Sequence, residues 1–239
     1  MEIFVDNVSA EEAVDEIIKG IRGKQKRYMV TPNAEIAYHA SKDDALKTAV
    51  NNADIILPDG AGVVFASRFI KNPLKTKTGG AATASLLLDE LNKNKLSLFI
   101  LGGTEETVKA ACENVNTDYP NIKVSGCNGY FTNDTEIVDK INSINPDTVF
   151  VCLGSPKQEL FMHNNFDKIN TYFLAGLGGT VDILAKKVKH APAFFIKLNI
   201  EWLYRLLKSP KRFFRMLSIP LYLFRAVLYR ENKSKEGEK

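Results

Sequence analysis

The sequence predicts an α/β protein in which helices cover both faces of a mostly parallel sheet. Short apolar runs alternate with segments of helical periodicity through most of the chain, which is the pattern of repeated strand–helix units. Polar clusters follow several of the apolar runs, as happens where parallel strands end at a ligand-binding edge. With 239 residues the chain is long enough to bury a full core.

The predicted elements follow one another in a regular order. Apolar runs predict strands at 28–31, 54–57, 97–101, 122–125, 148–153 and 171–175, with a weaker candidate at 3–5. Apolar residues at helical spacing predict helices at 10–21, 34–39, 43–51, 60–70, 83–92, 105–116, 136–144, 157–164 and 181–187. Amphipathic helices are predicted at 193–208, 211–218 and 221–230. No long linker divides the chain, so we expect a main domain at 1–192 and an appendage at 193–239.

The appendage is basic and the main domain is acidic. Residues 186–230 contain eleven Lys or Arg and one acid, Glu201, a local charge of +10. Because the whole chain carries +4 and residues 231–239 are neutral, residues 1–185 carry −6. A basic segment rich in aromatics suits an anionic membrane or a nucleic acid, and the aromatics favour the membrane. Its longest uncharged run, 216–224, is far shorter than the roughly 20 apolar residues of a spanning helix.

Five polar clusters fall at the carboxyl ends of predicted strands. They are Thr31-Pro-Asn33, Pro58-Asp59-Gly60, Gly102-Gly103-Thr104, Gly154-Ser-Pro-Lys157-Gln158 and Gly176-Leu-Gly178-Gly179. Because an open α/β sheet binds ligands outside the carboxyl ends of its strands, we expect all five to line a single cleft.

Asp59 is the acid best suited to act as a base. It ends an apolar strand and precedes Gly60, so its carboxylate would project into the cleft. An Asp before Gly is also a common turn or helix cap, and spacing alone favours the cap.

Four further side chains of these clusters could orient a ligand. Thr31, Asn33, Lys157 and Gln158 offer the hydrogen bonds that a sugar or a uracil ring requires. Ser155-Pro156 is equally an ordinary helix start, so the residues leave binding and capping open.

Gly102 and Gly103 lie between a predicted strand and a predicted helix, where backbone amides could hold a diphosphate. Two glycines without the full dinucleotide-binding pattern fit a tight turn as well, and the two interpretations weigh evenly.

Neither a metal site nor a cofactor is predicted. The three histidines lie far apart and no Asp-x-Asp occurs, so the charge of a bound diphosphate would have to be met by basic side chains. Three cysteines, in a chain that opens without a charged-then-apolar leader, indicate reduced thiols in the cytosol.

Taken in order, the clusters resemble those of the WecG/TagA/CpsF glycosyltransferase family. The resemblance rests on Thr31-Pro-Asn-Ala-Glu-Ile36, Pro58-Asp-Gly-Ala-Gly-Val63, Gly154-Ser-Pro-Lys-Gln-Glu159, Gly176-Leu-Gly-Gly-Thr-Val-Asp182, and Ala191-Pro192 followed by Glu201-Trp-Leu-Tyr-Arg-Leu206. It runs from about residue 28 to residue 225, and five ordered motifs are far more specific than any one.

This resemblance implies a Rossmann-like catalytic domain and an appendage that holds the protein peripherally on the inner face of the cell membrane. It implies an inverting, metal-independent transfer of N-acetylmannosamine from UDP-N-acetylmannosamine to undecaprenyl-diphosphate N-acetylglucosamine, as in wall teichoic acid synthesis. Asp59 then matches the base, and Thr31 and Gln158 match cleft residues near the reacting sugars. The appendage arginines that match the proposed holders of the lipid diphosphate are Arg205, Arg212 and Arg215.

One region departs from the family pattern. Many members read Glu-Arg-Val-x-Gly-x-Asp where this chain has Thr-Lys-Thr-Gly-Gly-Ala-Ala at 76–82. Lys77 keeps the charge of the usual Arg without its bidentate fork, and Ala82 cannot replace a carboxylate. The donor sugar is therefore less strongly implied than the reaction. A glucose or uronic acid donor in capsule or exopolysaccharide synthesis is the alternative within the family.

Two other classes of function compete with a glycosyltransferase. A nucleotide-dependent oxidoreductase would lack the complete dinucleotide-binding fingerprint. A nucleic-acid-binding module would leave the polar clusters unexplained, so we expect no nucleic-acid partner. A homo-oligomer is left open by the sequence.

Overall fold

The protein is described here from a computed structural model, which covers residues 3–69, 73–74, 78–188, 220–222 and 224. Within these ranges six strands form one parallel sheet in the order β2-β1-β6-β5-β3-β4. The strands are β1 (Arg27–Val30), β2 (Ile55–Ile56), β3 (Ser97–Gly102), β4 (Lys123–Cys127), β5 (Thr148–Cys152) and β6 (Phe173–Gly176). The predicted α/β class with a parallel sheet is confirmed.

Helices connect successive strands and end within a few residues of their predicted limits. They are α1 (Ala10–Arg22), α2 (Ala34–Ala40), α3 (Asp44–Asn51), α4 (Ala61–Phe69), α5 (Gly80–Asn94), α6 (Glu105–Asp118), α7 (Asp134–Ile144), α8 (Lys157–Asn165) and α9 (Thr180–Leu184). A 3₁₀ turn, Phe166–Lys168, follows α8.

Alternate strand residues enter two apolar cores, one on each face of the sheet. On β1, Met29 belongs to the core that α1, α5, α6 and α9 cover, whereas Tyr28 and Val30 belong to the core that α2, α3, α7 and α8 cover. Burial on both faces explains why the strands read as nearly continuous apolar runs instead of alternating ones.

Helix α1 shows how local sequence sets an element. Ser9 accepts a hydrogen bond from the Glu12 N–H, and the Glu12 carboxylate accepts one from the Ser9 N–H, at 2.8 Å, which completes a capping box. Its buried side chains, among them Val14, Ile17 and Ile21, recur at helical spacing and pack α1 beside α5.

The strand predicted at 3–5 is wrong. The Asp6 N–H donates to the Ile56 carbonyl at 2.9 Å, but the Ile56 N–H donates to the Asp6 carboxylate, at 2.7 Å, instead of to a backbone carbonyl. The Phe4 N–H likewise donates to the Asn51 side chain, at 3.2 Å. Because side chains replace the ladder partners, this segment follows β2 without extending the sheet.

Most of the predicted appendage lies outside the described residues, including the helices at 193–208 and 211–218 and the domain boundary at 192. Pro220, Leu221, Tyr222 and Phe224 are helical. Among the described helices, none combines the length and the hydrophobicity that crossing a bilayer requires.

Candidate active site

All five polar clusters lie at the carboxyl edge of the sheet, because every strand runs in the same direction. The clusters after β2, β1 and β6 are neighbours, since these strands are adjacent, and those after β5 and β3 continue the row. The structure therefore gathers the polar residues that the sequence scatters between residues 31 and 179.

Asp59 lies three residues after the end of β2 and is half-buried. Its N–H donates to the Pro32 carbonyl at 3.1 Å, which ties it to the loop after β1. Helix α4 begins at Ala61, so Gly60, at φ +79°, occupies the cap position and Asp59 precedes it. Asp59 thus lies two residues before the helix, with its carboxylate beside the start of α5 at the edge of the sheet.

The start of α5 lies against Asp59 and Thr31. A Cβ built on Gly79 would stand 3.3 Å from Asp59 Oδ1, and one built on Gly80 would stand 3.2 Å from Thr31 Oγ1. The two glycines thus bring the helix start close to both side chains. The first turn of α5 itself contains no acid, and Ala82 is exposed there, so the Asp59 carboxylate lies beside the partial positive charge of this helix start.

Thr31 is buried, and its hydroxyl donates to the Gly176 carbonyl at 3.1 Å. This bond joins the carboxyl ends of β1 and β6. Because its proton is donated to Gly176, the hydroxyl could still accept a hydrogen bond from a sugar but could not donate one, and in the structure it holds the end of β6.

Gln158 is also buried, with only 3% of its surface exposed. Its Oε1 accepts from the Gly178 N–H at 2.9 Å, and its Nε2 donates to Glu159 Oε1 at 2.8 Å. A Cβ built on Gly176 would stand 3.3 Å from Gln158 Nε2. Gly176 therefore touches both Thr31 and Gln158.

Asn33 and Lys157 also have structural partners. Asn33 caps α2, with its Oδ1 accepting from the Ile36 N–H at 3.0 Å. Lys157 is exposed, donates to the Gly129 carbonyl at 3.1 Å and lies 3.8 Å from the centre of the Phe131 ring. The side chain of Asn33 is therefore used as a helix cap. The ammonium group of Lys157 is exposed at the carboxyl edge of the sheet.

Gly102 and Gly103 form a tight turn between β3 and α6. A Cβ on Gly102, whose φ is +146°, would come 2.3 Å from the Cys152 carbonyl oxygen, so only glycine fits there. Thr104 caps α6 by accepting from the Thr107 N–H at 3.2 Å. The turn alternative thus has a structural basis. Diphosphate binding there stays a prediction.

Lys77, Arg205, Arg212 and Arg215 lie outside the described residues. Within the described ranges no group of three or more His, Cys, Asp or Glu side chains could hold a metal ion. The three cysteines form no disulfide.

Sequence reasoning did not single out Glu159. Its side chain is 1% exposed and, within the described ranges, its Oε2 has no hydrogen-bond partner. Burial raises the pKa of this carboxyl, and hydrogen bonds from Gln158 and Ser155 lower it by less. Glu159 occupies the first turn of α8, where an exposed acid is ordinary, so its position in the helix does not indicate that it is buried.

A parallel sheet covered on both faces, with a carboxylate, a hydroxyl and an amide at its carboxyl edge, is the architecture of α/β enzymes, whose ligands commonly bind at that edge. Comparison with known proteins identifies the family. The chain belongs to the glycosyl transferase WecG/TagA/CpsF family, whose model matches residues 1–236.

Curated relatives carry a more specific name, N-acetylglucosaminyldiphosphoundecaprenol N-acetyl-beta-D-mannosaminyltransferase. The relative from Bacillus spizizenii is 40% identical over 208 residues, 87% of this chain and 80% of its own. The one from Bacillus subtilis strain 168 is 40% identical over 204 residues, with 85% and 80% covered. The one from Staphylococcus aureus strain MW2 is 36% identical over 199 residues, with 83% and 78% covered.

Proposed function

We propose that this protein transfers N-acetylmannosamine from UDP-N-acetylmannosamine to undecaprenyl-diphosphate N-acetylglucosamine, in the synthesis of wall teichoic acid or a related surface polysaccharide. The observation that carries the proposal is the likeness to three relatives of that name across about four-fifths of their length. The clustering of Asp59, Thr31 and Gln158 at one edge supports a reaction there.

In the proposed mechanism Asp59 acts as the general base. Its carboxylate takes the proton from the acceptor hydroxyl, whose oxygen attacks C1 of the donor sugar while the bond from C1 to the UDP oxygen breaks. Attack opposite the leaving group inverts the configuration at C1. The half-buried position of Asp59, one residue before the flexible Gly60, suits an acid that must reach a substrate.

Thr31 and Gln158 orient the sugars through the loop that they hold. Both are buried and both bond the backbone between Gly176 and Gly178, so their effect on a substrate passes largely through the shape of that loop. Asn33 and Lys157 lie on the same edge and complete the proposed contacts. Gly102 and Gly103 are proposed to accommodate the diphosphate.

Cationic side chains, without a metal ion, are proposed to stabilise the negative charge that develops on the departing UDP. Lys77 and the appendage arginines Arg205, Arg212 and Arg215 are assigned this role together with binding of the lipid diphosphate. The basic appendage at 193–239 would hold the enzyme on the anionic inner face of the membrane, where its acceptor resides.

The substrate assignment is tested with a panel of UDP-sugars and a short-chain diphospholipid-linked N-acetylglucosamine, with products read by mass spectrometry. We expect a mass gain of one N-acetylhexosamine from UDP-N-acetylmannosamine alone. Transfer of glucose or a uronic acid instead would replace the proposed donor and keep the reaction. Turnover unchanged by EDTA is expected for a metal-independent enzyme.

The base is tested by Asp59→Asn, which keeps the size of the side chain and removes its basicity. We expect kcat to fall roughly 10²–10⁴-fold, the usual contribution of a general base, with the melting temperature nearly unchanged. Asp15→Asn, on the exposed face of α1, is the matched control and should keep full activity. Near-normal turnover by Asp59→Asn would remove Asp59 from the mechanism.

The appendage is tested with a variant that ends at Pro192. We expect it to lose binding to liposomes that contain anionic lipid and to lose activity on the lipid-linked acceptor, while the full chain binds less tightly as salt rises. Circular dichroism confirms that the shortened protein is folded. Full activity of the shortened protein on the lipid acceptor would contradict the proposed role.

A further inference from the structure

Glu159 is a buried acid whose hydrogen bonding is incomplete. One carboxyl oxygen, Oε1, accepts from Gln158 Nε2 at 2.8 Å, and within the described ranges the other oxygen has no partner. Burying such a group lowers stability, because the lost hydration is only partly replaced. An apolar side chain would fill the same volume at less cost, so stability alone does not account for a hydrogen-bond acceptor here.

The bond from Gln158 to Glu159 decides which way the Gln158 amide faces. Because Nε2 is held by Glu159, the amide oxygen faces the Gly178 N–H and accepts from it at 2.9 Å. The reversed amide would place an NH₂ group against that N–H, donor against donor, and would leave Glu159 Oε1 beside an acceptor. Glu159 therefore selects the one orientation in which Gln158 can hold the loop.

That loop is the part of the site that Thr31 also holds. Gly178 has a φ of +52°, and the Gly176 carbonyl two residues earlier accepts from the Thr31 hydroxyl at 3.1 Å. Three hydrogen bonds, two buried and one part-buried, together with the backbone from 176 to 178 thereby join the carboxyl ends of β1 and β6 to the start of α8.

We propose that Glu159 is a positioning residue for the transfer reaction: it fixes the amide of Gln158 and, through it, the backbone of the Gly176–Gly179 loop beside Thr31. The inference rests on the proposed function, because it assigns the loop to the site where the sugars react. Glu159 itself contacts no substrate in this proposal.

The test compares two substitutions in the full-length protein. Glu159→Gln keeps a hydrogen-bond acceptor at the Oε1 position, and Glu159→Leu removes it. We expect kcat of Glu159→Gln to stay within about threefold of the parent, because the acceptor alone is needed. We expect Glu159→Leu to lower kcat roughly 10²-fold, the scale of an ångström-sized misplacement in a site, with a smaller change in KM for the donor.

Glu136→Leu is the matched control. Glu136 is the third residue of α7, as Glu159 is of α8, and it too accepts from a neighbouring amide, Asn133 Nδ2, at 3.3 Å, but it is exposed. It should keep full activity. If Glu159→Leu lowers only the melting temperature and keeps the kcat of the folded fraction, the residue is merely structural and the inference is overturned.

A double-mutant cycle with Gln158→Leu tests the route of the effect. If Glu159 acts through Gln158, Glu159→Leu should change kcat by less than about threefold once Gln158 is already Leu. Losses that multiply in the double variant would overturn the inference.

Hydrogen exchange separates this inference from the proposed function. Glu159→Leu should speed exchange at residues 176–180, and Glu159→Gln should not, whatever sugar the enzyme transfers. If the parent protein transfers no sugar to the lipid acceptor, the proposed function fails. The exchange data would still show whether Glu159 holds the loop at 176–180. Unchanged exchange at 176–180 in Glu159→Leu overturns the positioning role.

Discussion

A single methyl group at Gly176 should disturb the site without unfolding the protein. A Cβ at this position would stand 2.8 Å from Met162 Cε, 3.3 Å from Gln158 Nε2 and 3.5 Å from the Met29 carbonyl oxygen. The methionine methyl is the far end of a flexible side chain and can move, whereas the Gln158 amide is held at both ends. The strain of Gly176→Ala should therefore fall on the Gln158 amide.

The size of the effect follows from these contacts. Overpacking a core typically costs about 1–3 kcal/mol, and the flexible methionine places this case near the lower end. For a chain of 239 residues, about 1 kcal/mol lowers the melting temperature by about 2–4 °C. If about 1 kcal/mol is likewise lost from the transition state, kcat falls roughly fivefold, since about 1.36 kcal/mol corresponds to a factor of ten.

Gly179→Ala supplies the comparison within the same loop. Nothing lies within 4 Å of a Cβ built there, and the φ of −74° suits any residue. Its melting temperature and kcat should match those of the parent, as measured by differential scanning fluorimetry and the mass-spectrometric transfer assay. Wild-type kcat in Gly176→Ala, with the same drop in melting temperature, would refute the link between this packing and catalysis.

Two further predictions concern stability. Ser9→Ala breaks the capping box of α1 and should cost about 1 kcal/mol without changing kcat, and an unchanged melting temperature would show that the cap contributes nothing. Burial raises the pKa of Cys152 to about 12 and that of Cys112 to about 11, whereas unfolded thiols ionise near 8.5. Above that pH the unfolded chain holds fewer protons than the native one. The contribution of these thiols to the free energy of unfolding is therefore complete below about pH 8 and falls as pH rises toward 11. Thermal unfolding from pH 7 to pH 10.5 should show this loss, and Cys152→Ala should reduce it; equal pH dependence in the two proteins would contradict it.

The parallel sheet could be predicted because the patterns that specify its strands and helices lie within short segments of sequence. Burial on both faces demands continuous apolar strands such as 148–152, and helices between them carry their own periodicity and caps. The segment at 3–5 misled because it is apolar like a strand, whereas its pairing is decided by the side chains of Asp6 and Asn51.

The candidate site could be predicted as a set of residues but not as a network. Strand ends locate Thr31, Asp59 and Gln158 at one edge. Their hydrogen bonds depend on β6 lying beside β1, and nothing near residue 31 in the sequence announces a partner at residue 176. Glu159 was missed for a related reason, since a first-turn acid looks solvated until the elements around it are in place.

The order of the strands also bears on how the protein is made. Among the described strands β6 comes last in the sequence, yet it lies between β1 and β5 and is the only one of them that links the two halves of the sheet. The earlier strands can form two separate parts but cannot close into one domain until residue 176 has been synthesised. Because the same strand delivers the loop held by Thr31 and Gln158, a nascent chain gains the proposed reactive edge and joins the described strands into one sheet in the same late step.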